Sequence, residues 1–283
     1  MKKELTKEDV IQNKKEAIRA LNNMLELYIN DSNDKHLKKA NLLSYWIKDY
    51  VRMIKFEENF EPTKNIAYKR GNLVKVNFGF RVGAEYGGLH YGIVLDNHND
   101  HNSPVVTVIP LTSSKDTEEI HENNVELGNE VYRSLKIKYD TISKALKEEQ
   151  EEIQKELNLF KTMVDLATQT AKELESGTLD SQAFKQKLSD VRKYLDAAKE
   201  LKRLWEEKAQ HNKEQQDYLN KIGLEISRMK EGSIALVNQI TTISKIRIFD
   251  PRNLKGVLSG ISLSGEGMKK INQKVKELYV FKE

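Results

Sequence analysis

The stretch YKRGNLVKVNFGFRVGAEYGGLHYGIVLDNHNDHNSPVVTVIPLTSS, residues 68–114, decides the fold. Its first part alternates as a strand does, with Val74, Val76 and Phe78 on one face. A glycine-rich turn, RVGAEYGGLH, follows, and then two β-rich runs, YGIVLDN (91–97) and PVVTVIPL (104–111). Short strands joined by polar turns predict a small antiparallel sheet or barrel.

A second β-rich block lies far along the chain. SIALVNQI and TISKIRIF (233–240 and 242–249) show strand patterning, and a helix is expected from Ser264, a good N-cap residue. Between the two blocks, residues 134–231 lack proline and have helical periodicity. An all-helical insertion in one barrel explains this order better than three tandem domains, because surface loops between strands tolerate insertions.

The predicted fold class is therefore α+β, a small antiparallel β-barrel interrupted by a long antiparallel helical hairpin. We expect three parts: an N-terminal helical extension (1–66), a barrel in two pieces (67–133 plus 232–283), and the inserted hairpin (134–231). The extension reads as two helices, the first opened by Thr6 and Asp9 in capping-box spacing. An apolar stripe on the second is expected to pack on the barrel: Leu43, Trp46, Ile47, Tyr50, Val51 and Ile54.

The hairpin pattern predicts a coiled-coil seam with ESGTLDS (175–181) as its turn. On the return helix the pattern comprises Phe184, Leu188, Val191, Leu195, Ala198, Trp205, Leu219, Ile222 and Ile226. Two polar stretches, KEEQEE (147–152) and AQHNKEQQ (209–216), would lie opposite each other if the hairpin folds about its turn. They predict either a softer, hinge-like section near the base of the rod or simply a solvated segment of coiled coil.

Composition narrows the class of protein. The chain is 32% charged and 38% hydrophobic, with a net charge of +4, so any nucleic-acid site must be a local basic groove. There is no cysteine, which excludes disulfides and cysteine-based zinc sites. The N-terminus lacks the apolar region of a secretory signal, and no apolar run is long enough to span a membrane. A cytoplasmic protein is expected.

Residues 68–114 resemble the N-terminal half of MazF/PemK (Kid) toxins: RG, a strand, a VGxExGG turn, a strand, a loop with SP, and a strand ending in PLTS. NNVELGNEVY (123–132) is similar to the strand and turn that follow in that family. SIALVNQITTISKIRI (233–248) is similar to its late strand pair, and LSGISLSGEGMKKINQKVKEL (258–278) to its closing helix. The order is preserved around the insertion.

The resemblance implies an SH3-like barrel, usually a homodimer, that cleaves single-stranded RNA at short sequences without a metal or other cofactor. In such enzymes the ribose 2′-hydroxyl attacks the adjacent phosphate, which leaves a 2′,3′-cyclic phosphate and a 5′-hydroxyl. A protein antitoxin normally restrains the activity. The reaction needs a base, a proton for the leaving oxygen, and donors for the charged phosphorane.

Carried onto this sequence, the family's catalytic threonine is Thr112, and the arginine that follows the GG turn is replaced by His90. Histidine can transfer protons near neutral pH but cannot act as a bidentate guanidinium. The family's late arginine and aspartate fall at Leu236 and Asn238, and the arginine after QI at Thr241. The catalytic candidates are therefore His90 and Thr112, with Glu85 as a base or as the group that orients His90.

Further residues are expected to bind RNA by phosphate contact, base stacking or backbone approach. They are Arg70, Arg81, Tyr86, Gly87, Gly88, Ser113, Lys115, Asn238 and Gln239. The two glycines favour turn geometry over direct phosphate contact. His98 and His101 have H-x-x-H spacing, but no further ligands accompany them, so no metal site is predicted.

Two functions compete at this point. The first is a MazF/PemK-like endoribonuclease. The second is a catalytically silent barrel that binds RNA or a protein, with the helical rod as its working part; the substitutions at 90, 236, 238 and 241 favour it. In either case the rod is expected to dimerise, to dock a regulatory partner, or to restrain the RNA groove in cis as an antitoxin would in trans.

Overall fold

The computed structural model describes residues 5–114, 119–177 and 180–280. Its elements follow the order α1 (Lys7–Ile29), α2 (Asp34–Glu57), β1 (Leu73–Asn77), β2 (Leu89–Val94), β3 (Val105–Ser113), β4 (Val125–Gly128), α3 (Glu130–Glu175), α4 (Ser181–Arg228), β5 (Ser233–Ala235), β6 (Thr241–Ser244), β7 (Ile248–Asp250) and α5 (Gly265–Tyr279). All the strand pairs described below are antiparallel, so the α+β class is confirmed.

The chain forms two compact units. The first runs to Thr112 and resumes at Leu236–Asn253, and the second comprises Ser113–Ala235 and the residues from Leu254 onward. The N-terminal helices thus share a unit with the first strands, whereas the long helices share one with β4, β5 and α5. The three-part division expected from the sequence stays a prediction.

Five strands of the first unit form one sheet in the order β7–β1–β2–β3–β6. Its core is a cluster of nine buried side chains, with Ile66 and Tyr86 packed against it; the nine are Tyr68, Val74, Val76, Phe78, Val94, Val106, Val108, Ile243 and Ile248. Its two edge strands, β6 and β7, are joined by a single 3-10 turn, Lys245–Arg247. Because so short a link cannot span a flat five-stranded sheet, the sheet must curl until its edges approach.

The N-terminal helices form where the sequence predicts them. The Thr6 hydroxyl accepts from the backbone N–H of Asp9, whose carboxylate accepts from the Thr6 N–H, which completes the capping box. Asn33 caps α2 after the DSND break. Trp46 packs on the sheet as expected, but Tyr50, Val51 and Ile54 are exposed, so the predicted stripe is only partly covered.

The long helices interrupt a β-hairpin. β4 and β5 pair directly, with Val125 opposite Ala235 and Glu126 opposite Ile234, and α3 and α4 form the connection between them. Helices of 46 and 48 residues correspond to about 70 Å each at 1.5 Å per residue. Helix α3 begins at Glu130, four residues earlier than expected, so NNVELGNEVY contributes a strand and the first helical turn.

The helical pair follows the predicted alignment but not every predicted seam position. Asn212 bonds Glu149 and Gln150 across the pair, so the two polar stretches do lie opposite each other. On α4, however, Phe184, Leu188 and Leu195 are exposed. The other predicted positions, Val191, Ala198, Trp205, Leu219, Ile222 and Ile226, are partly or fully buried, as are Tyr194 and Leu201.

The base of the rod is fastened to the segment before α5. The Lys138 ammonium donates to the carbonyls of Val257 (2.9 Å) and Ser259 (2.7 Å), and the Tyr218 hydroxyl donates to Gly256 (3.0 Å). Ser264 caps α5 as predicted. Among the described helices, none combines the length and apolar character that a membrane span requires.

Candidate active site

His90 and Thr112 lie on neighbouring strands at the end of the sheet's core face. Strands β2 and β3 pair with Gly92 opposite Pro110, and extending this register by two residues sets His90 against Thr112. Residues directly opposite each other in an antiparallel pair point to the same face. His90 also pairs with Val76 of β1, a buried core residue, so all these side chains share the core face.

The hydroxyl of Tyr86 connects these two residues. It lies 2.9 Å from Nδ1 of His90 and donates to the carbonyl of Leu111, also at 2.9 Å. The side chain of Thr112 forms a further hydrogen bond to the phenolic oxygen. Since a phenol has one proton and two lone pairs, these contacts satisfy it completely. The rings of Tyr86 and His90 are 4.5 Å apart, centre to centre.

This network determines which nitrogen of His90 is the free base. The Leu111 carbonyl can only accept, so the Tyr86 proton goes to it and Nδ1 of His90 must donate to the phenolic oxygen. In the neutral ring Nε2 then carries the lone pair, and in the protonated ring Nε2 donates to the Gly87 backbone. Burial lowers the pKa of His90, against an opposing hydrogen bond to the Gly87 backbone, so the imidazole is neutral near pH 7. Burial also raises the pKa of Tyr86, despite the opposing bond from Thr112.

The glycines of the turn are required by close packing. A Cβ on Gly87 would lie 2.6 Å from the Gly79 carbonyl oxygen and 3.0 Å from Cγ of Arg81. Gly88 has a φ of +94°, donates its N–H to the Gly79 carbonyl (2.8 Å), and would bring a Cβ within 3.2 Å of Nε2 of His90. Glycine at both positions therefore serves turn geometry and keeps space beside the imidazole.

Gln239, expected to bind RNA, braces the turn instead. Its side-chain oxygen accepts from the backbone N–H of Tyr86 at 3.1 Å, and its amide nitrogen donates to the Ala84 carbonyl at 3.4 Å. The same 3-10 turn leaves Asn238 exposed. The backbone of Leu236 donates to the carbonyl of Pro110 at 2.9 Å. The late segment that resembles the family's second block thus reaches the candidate site through its backbone and one amide.

His90 opens onto a cleft of about 530 Å³. The sheet and turn contribute one side of it, namely Asn77, Gly79, Phe80, Arg81, Glu85, Gly87, Gly88, Leu89 and His90, and helix α2 contributes the other, namely Leu42, Tyr45, Trp46 and Asp49. Glu85 lines this cleft, and its carboxylate lies 4.0 Å from the Arg81 guanidinium. The residue that orients His90 is Tyr86, a role the sequence had suggested for Glu85.

A second guanidinium lies close to Arg81. Arg247 stands over the Trp46 ring at 5.2 Å from its centre. Burial lowers the pKa of Arg247, and the nearby positive charge of Arg81 lowers it further. Arg81 is held in place by a 2.8 Å bond from Nε to the Phe78 carbonyl. Two such cations beside a cleft form a site suited to an anion such as a phosphate.

Two predicted RNA-binding residues, Arg70 and Ser113, are not brought into this group. Arg70 lies beyond the other end of β1 and β2, where its guanidinium donates to the Leu95 carbonyl. Ser113 is exposed at the end of β3. Lys115 lies outside the described residues. His101, of the H-x-x-H pair, bonds the Asn65 carbonyl at 2.6 Å, and within the described ranges no group of three or more His, Asp or Glu side chains forms a metal site.

Sequence reasoning missed the contribution of α2 and of Arg247. The only sequence signal around Tyr45, Trp46 and Asp49 is helical periodicity. Such periodicity predicts a packed helix face but does not indicate that the helix lines a cleft. Arg247 falls in a β-like run, and nothing in that run separates it from a surface residue. For Tyr86 the sequence offered one signal, its position in the turn just before His90. Its hydrogen bond to the imidazole depends on tertiary structure.

The sequence model of the family described as PemK-like, MazF-like toxin of type II toxin-antitoxin system matches residues 69–177. The match covers β1 to β4 and α3, and it includes Tyr86, His90 and Thr112. Comparison with curated proteins found no match. Residues 69–177, with the turn and strands that build the cleft, are therefore similar in sequence to the MazF/PemK-like toxins.

Proposed function

We propose that this protein is a toxin-type endoribonuclease that cuts single-stranded RNA through attack of the ribose 2′-hydroxyl. One observation carries the proposal: the Tyr86 hydroxyl joins His90, which lines the cleft, to Thr112 on the neighbouring strand. The family supplies the reaction class, because PemK-like toxins are endoribonucleases. The geometry supplies a base where this chain lacks the family's arginine.

Nε2 of His90 is assigned as the base. It takes the proton of the 2′-hydroxyl while the 2′-oxygen bonds to phosphorus and the bond from phosphorus to the 5′-oxygen breaks. The leaving 5′-oxygen takes a proton from water, and the imidazolium of His90 gives its proton to the resulting hydroxide, which restores the base. Tyr86 fixes the orientation of the imidazole through Nδ1 and stabilises the imidazolium through Nδ1–H. Thr112 is proposed to exchange its bond to Tyr86 for one to the phosphate.

The developing negative charge on the phosphorane needs fixed positive partners. Arg81 lines the cleft and Arg247 lies beside it, so they take the part that a single arginine after the GG turn would play. Glu85 stays a candidate because it lines the same cleft, with the role of holding Arg81. Asn238, exposed next to the bracing Gln239, is proposed to contact RNA.

Finer features of the family belong to the same proposal. The link between β6 and β7 supports an SH3-like barrel, because it brings the edges of the sheet together. An antitoxin and a homodimer are expected from the family, as is a cytoplasmic location. The direct pairing of β4 with β5 supports a barrel formed by 67–133 plus 232–283 with 134–231 inserted in a loop.

The test is cleavage of a mixed-sequence single-stranded RNA in EDTA by the full chain. We expect defined cuts with 2′,3′-cyclic phosphate and 5′-hydroxyl ends, strongly reduced in His90→Ala and Thr112→Ala. His98→Ala, an exposed loop histidine, and Thr107→Val, on the same strand as Thr112, are the matched controls. Intact RNA with the wild-type chain, or equal cleavage by His90→Ala, would refute the assignment.

A second candidate, a silent barrel with the rod as an interaction module, is favoured by one observation. The family's late acid/base pair is replaced by Leu236 and Asn238, and the first of these contributes its backbone N–H to Pro110. Measurable RNA binding without any cut in the assay above would support it. Replacing 140–228 by a short linker tests the rod: unchanged oligomeric state and unchanged RNA cleavage would exclude its roles in dimerisation and in restraint.

A further inference from the structure

Helix α2 forms a whole side of the cleft, although it lies outside the residues that match the family. Its register on the sheet is fixed by Trp46. A Cβ on Gly79 would lie 2.9 Å from two ring carbons of Trp46, so only glycine lets the indole approach this closely. Arg247 covers the same indole. Trp46 thus anchors the helix, and this anchor fixes the positions of the other α2 residues that line the cleft.

With the helix anchored in this way, Tyr45 faces the cleft and much of its ring is exposed to solvent. Its side chain lines the cleft, yet it is 58% exposed. The Lys48 ammonium lies 4.1 Å from its ring centre, so a cation accompanies the ring. Aromatic rings beside cations are the common elements of single-strand binding sites, where bases stack and phosphates pair.

The charges around the cleft fit the same ligand. Lys48 lies over the Tyr45 ring, and Arg81 lines the cleft with Arg247 close to it, whereas Glu85 and Asp49 are the carboxylates that line the cleft. Asp49 forms an exposed ion pair with Arg52 at 3.2 Å, and such pairs are weak enough to exchange partners. A carboxylate at this place can accept a hydrogen bond from the amino group of a base.

We propose that α2 is the nucleobase-binding wall of the RNA cleft: Tyr45 stacks on the base next to the scissile phosphate, and Asp49 accepts from that base's amino group. The inference rests on the proposed function and adds the side of the site that selects the sequence. Two features of the fold carry it, the anchored position of α2 and the exposed aromatic ring it holds opposite His90 in one cleft.

Binding and cleavage test it separately in the full chain. Binding uses fluorescein-labelled, mixed-sequence single-stranded RNA with His90→Ala protein in EDTA, and cleavage uses the same RNA with His90 intact, followed by sequencing of the cut ends. Each is measured with native Tyr45, Tyr45→Phe and Tyr45→Ala. Phe249→Ala is the control, because Phe249 is an aromatic residue of β7, 62% exposed and not part of the cleft lining.

We expect Tyr45→Ala to weaken binding by roughly 5- to 150-fold, the range of one lost base–aromatic stack. Its cut sites should lose preference at one nucleotide beside the cut. Tyr45→Phe keeps the ring and should retain both properties, as should Phe249→Ala. Asp49→Asn should alter which base is preferred without abolishing cleavage.

Three results overturn the inference. Equal binding and an unchanged cut-site profile in Tyr45→Ala would make α2 a scaffold only. Faster cleavage by Tyr45→Ala would make the helix a cover over the site. A chain that neither binds nor cuts RNA would refute this inference and the proposed function together, whereas RNA binding that depends on Tyr45 without any cleavage by the wild-type chain would refute the proposed function alone.

Discussion

The phenolic oxygen of Tyr86 lies 2.9 Å from Nδ1 of His90, and this single contact gives a lone histidine the orientation that a base requires. The Leu111 carbonyl takes the phenol's proton, so the imidazole donates at Nδ1 and presents Nε2. Histidine bases in other enzymes are usually oriented by a carboxylate or a carbonyl. Here a half-buried phenol orients the imidazole without adding a charge to the cleft.

Tyr86→Phe should slow RNA cleavage by roughly 10- to 100-fold. Without the Tyr86 hydroxyl, the imidazole of His90 is no longer held in the orientation that proton transfer requires. The ring would still pack on Phe78, so the fold should remain. The measurement is the single-turnover cleavage rate beside a thermal unfolding curve. Tyr91→Phe, on the opposite face of β2, is the control. A full cleavage rate in Tyr86→Phe would remove Tyr86 from the mechanism.

The acid limb of the cleavage profile should fall below the ordinary histidine pKa of about 6.5. Burial lowers the pKa of His90, so the neutral base persists to lower pH and is lost only as the pH drops through that lowered value. The unfolded chain binds this proton first, so stability decreases over the same interval. The profile of kcat/KM against pH checks this. An acid limb centred above 6.5 would contradict it.

Gly87→Ala should both destabilise the first unit and abolish cleavage. The added methyl would meet the Gly79 carbonyl at 2.6 Å, and moving that backbone breaks the turn that carries Tyr86. We expect a loss of about 1–3 kcal/mol in the free energy of unfolding. Denaturant titration measures it. Gly265→Ala is the matched substitution, since a methyl there meets no heavy atom within 4 Å, and it should be close to neutral.

Asn212→Leu should stabilise the long helical pair. Asn212 is only 8% exposed and its amide is held by Glu149 and Gln150, so it is a buried polar group where the two polar stretches face each other. A buried asparagine at such a position fixes register at a cost in stability, and its removal should raise the free energy of unfolding by about 1 kcal/mol. Asn220→Leu, exposed on the same helix, controls for helix propensity. A lower melting temperature in Asn212→Leu would show that the polar contacts outweigh their cost.

Local periodicity predicted most of the fold. The strands, the caps at Thr6 and Ser264, and the hairpin all follow from spacing that each segment carries by itself. The seam of α4 was less predictable, because Phe184, Leu188 and Leu195 have the right chemistry and nearly the right spacing, but only the position of α3 decides which face is covered. Over 48 residues, a small error in phase moves a predicted stripe to the solvent side.

The candidate site was only half predictable. His90 and Thr112 came from motif positions within one continuous block, and the register of β2 and β3 brings them together. Tyr45, Trp46 and Arg247 have no such block. Their part in the cleft depends on how a helix docks on a sheet, which is decided by contacts such as that between Trp46 and Gly79. The role of Gln239 in bracing the turn could not be predicted for the same reason, because it depends on contacts with residues distant in sequence.

The brace on the turn has a consequence for synthesis of the chain. Gln239 follows its partner Tyr86 by 153 residues, and the whole helical pair lies between them. A ribosome adding about 5–20 residues per second needs on the order of 10–30 s to cover that interval. During that time the turn that carries Tyr86 lacks the amide that braces it in the complete fold. Any chain that stops before residue 239 therefore has this turn without its brace.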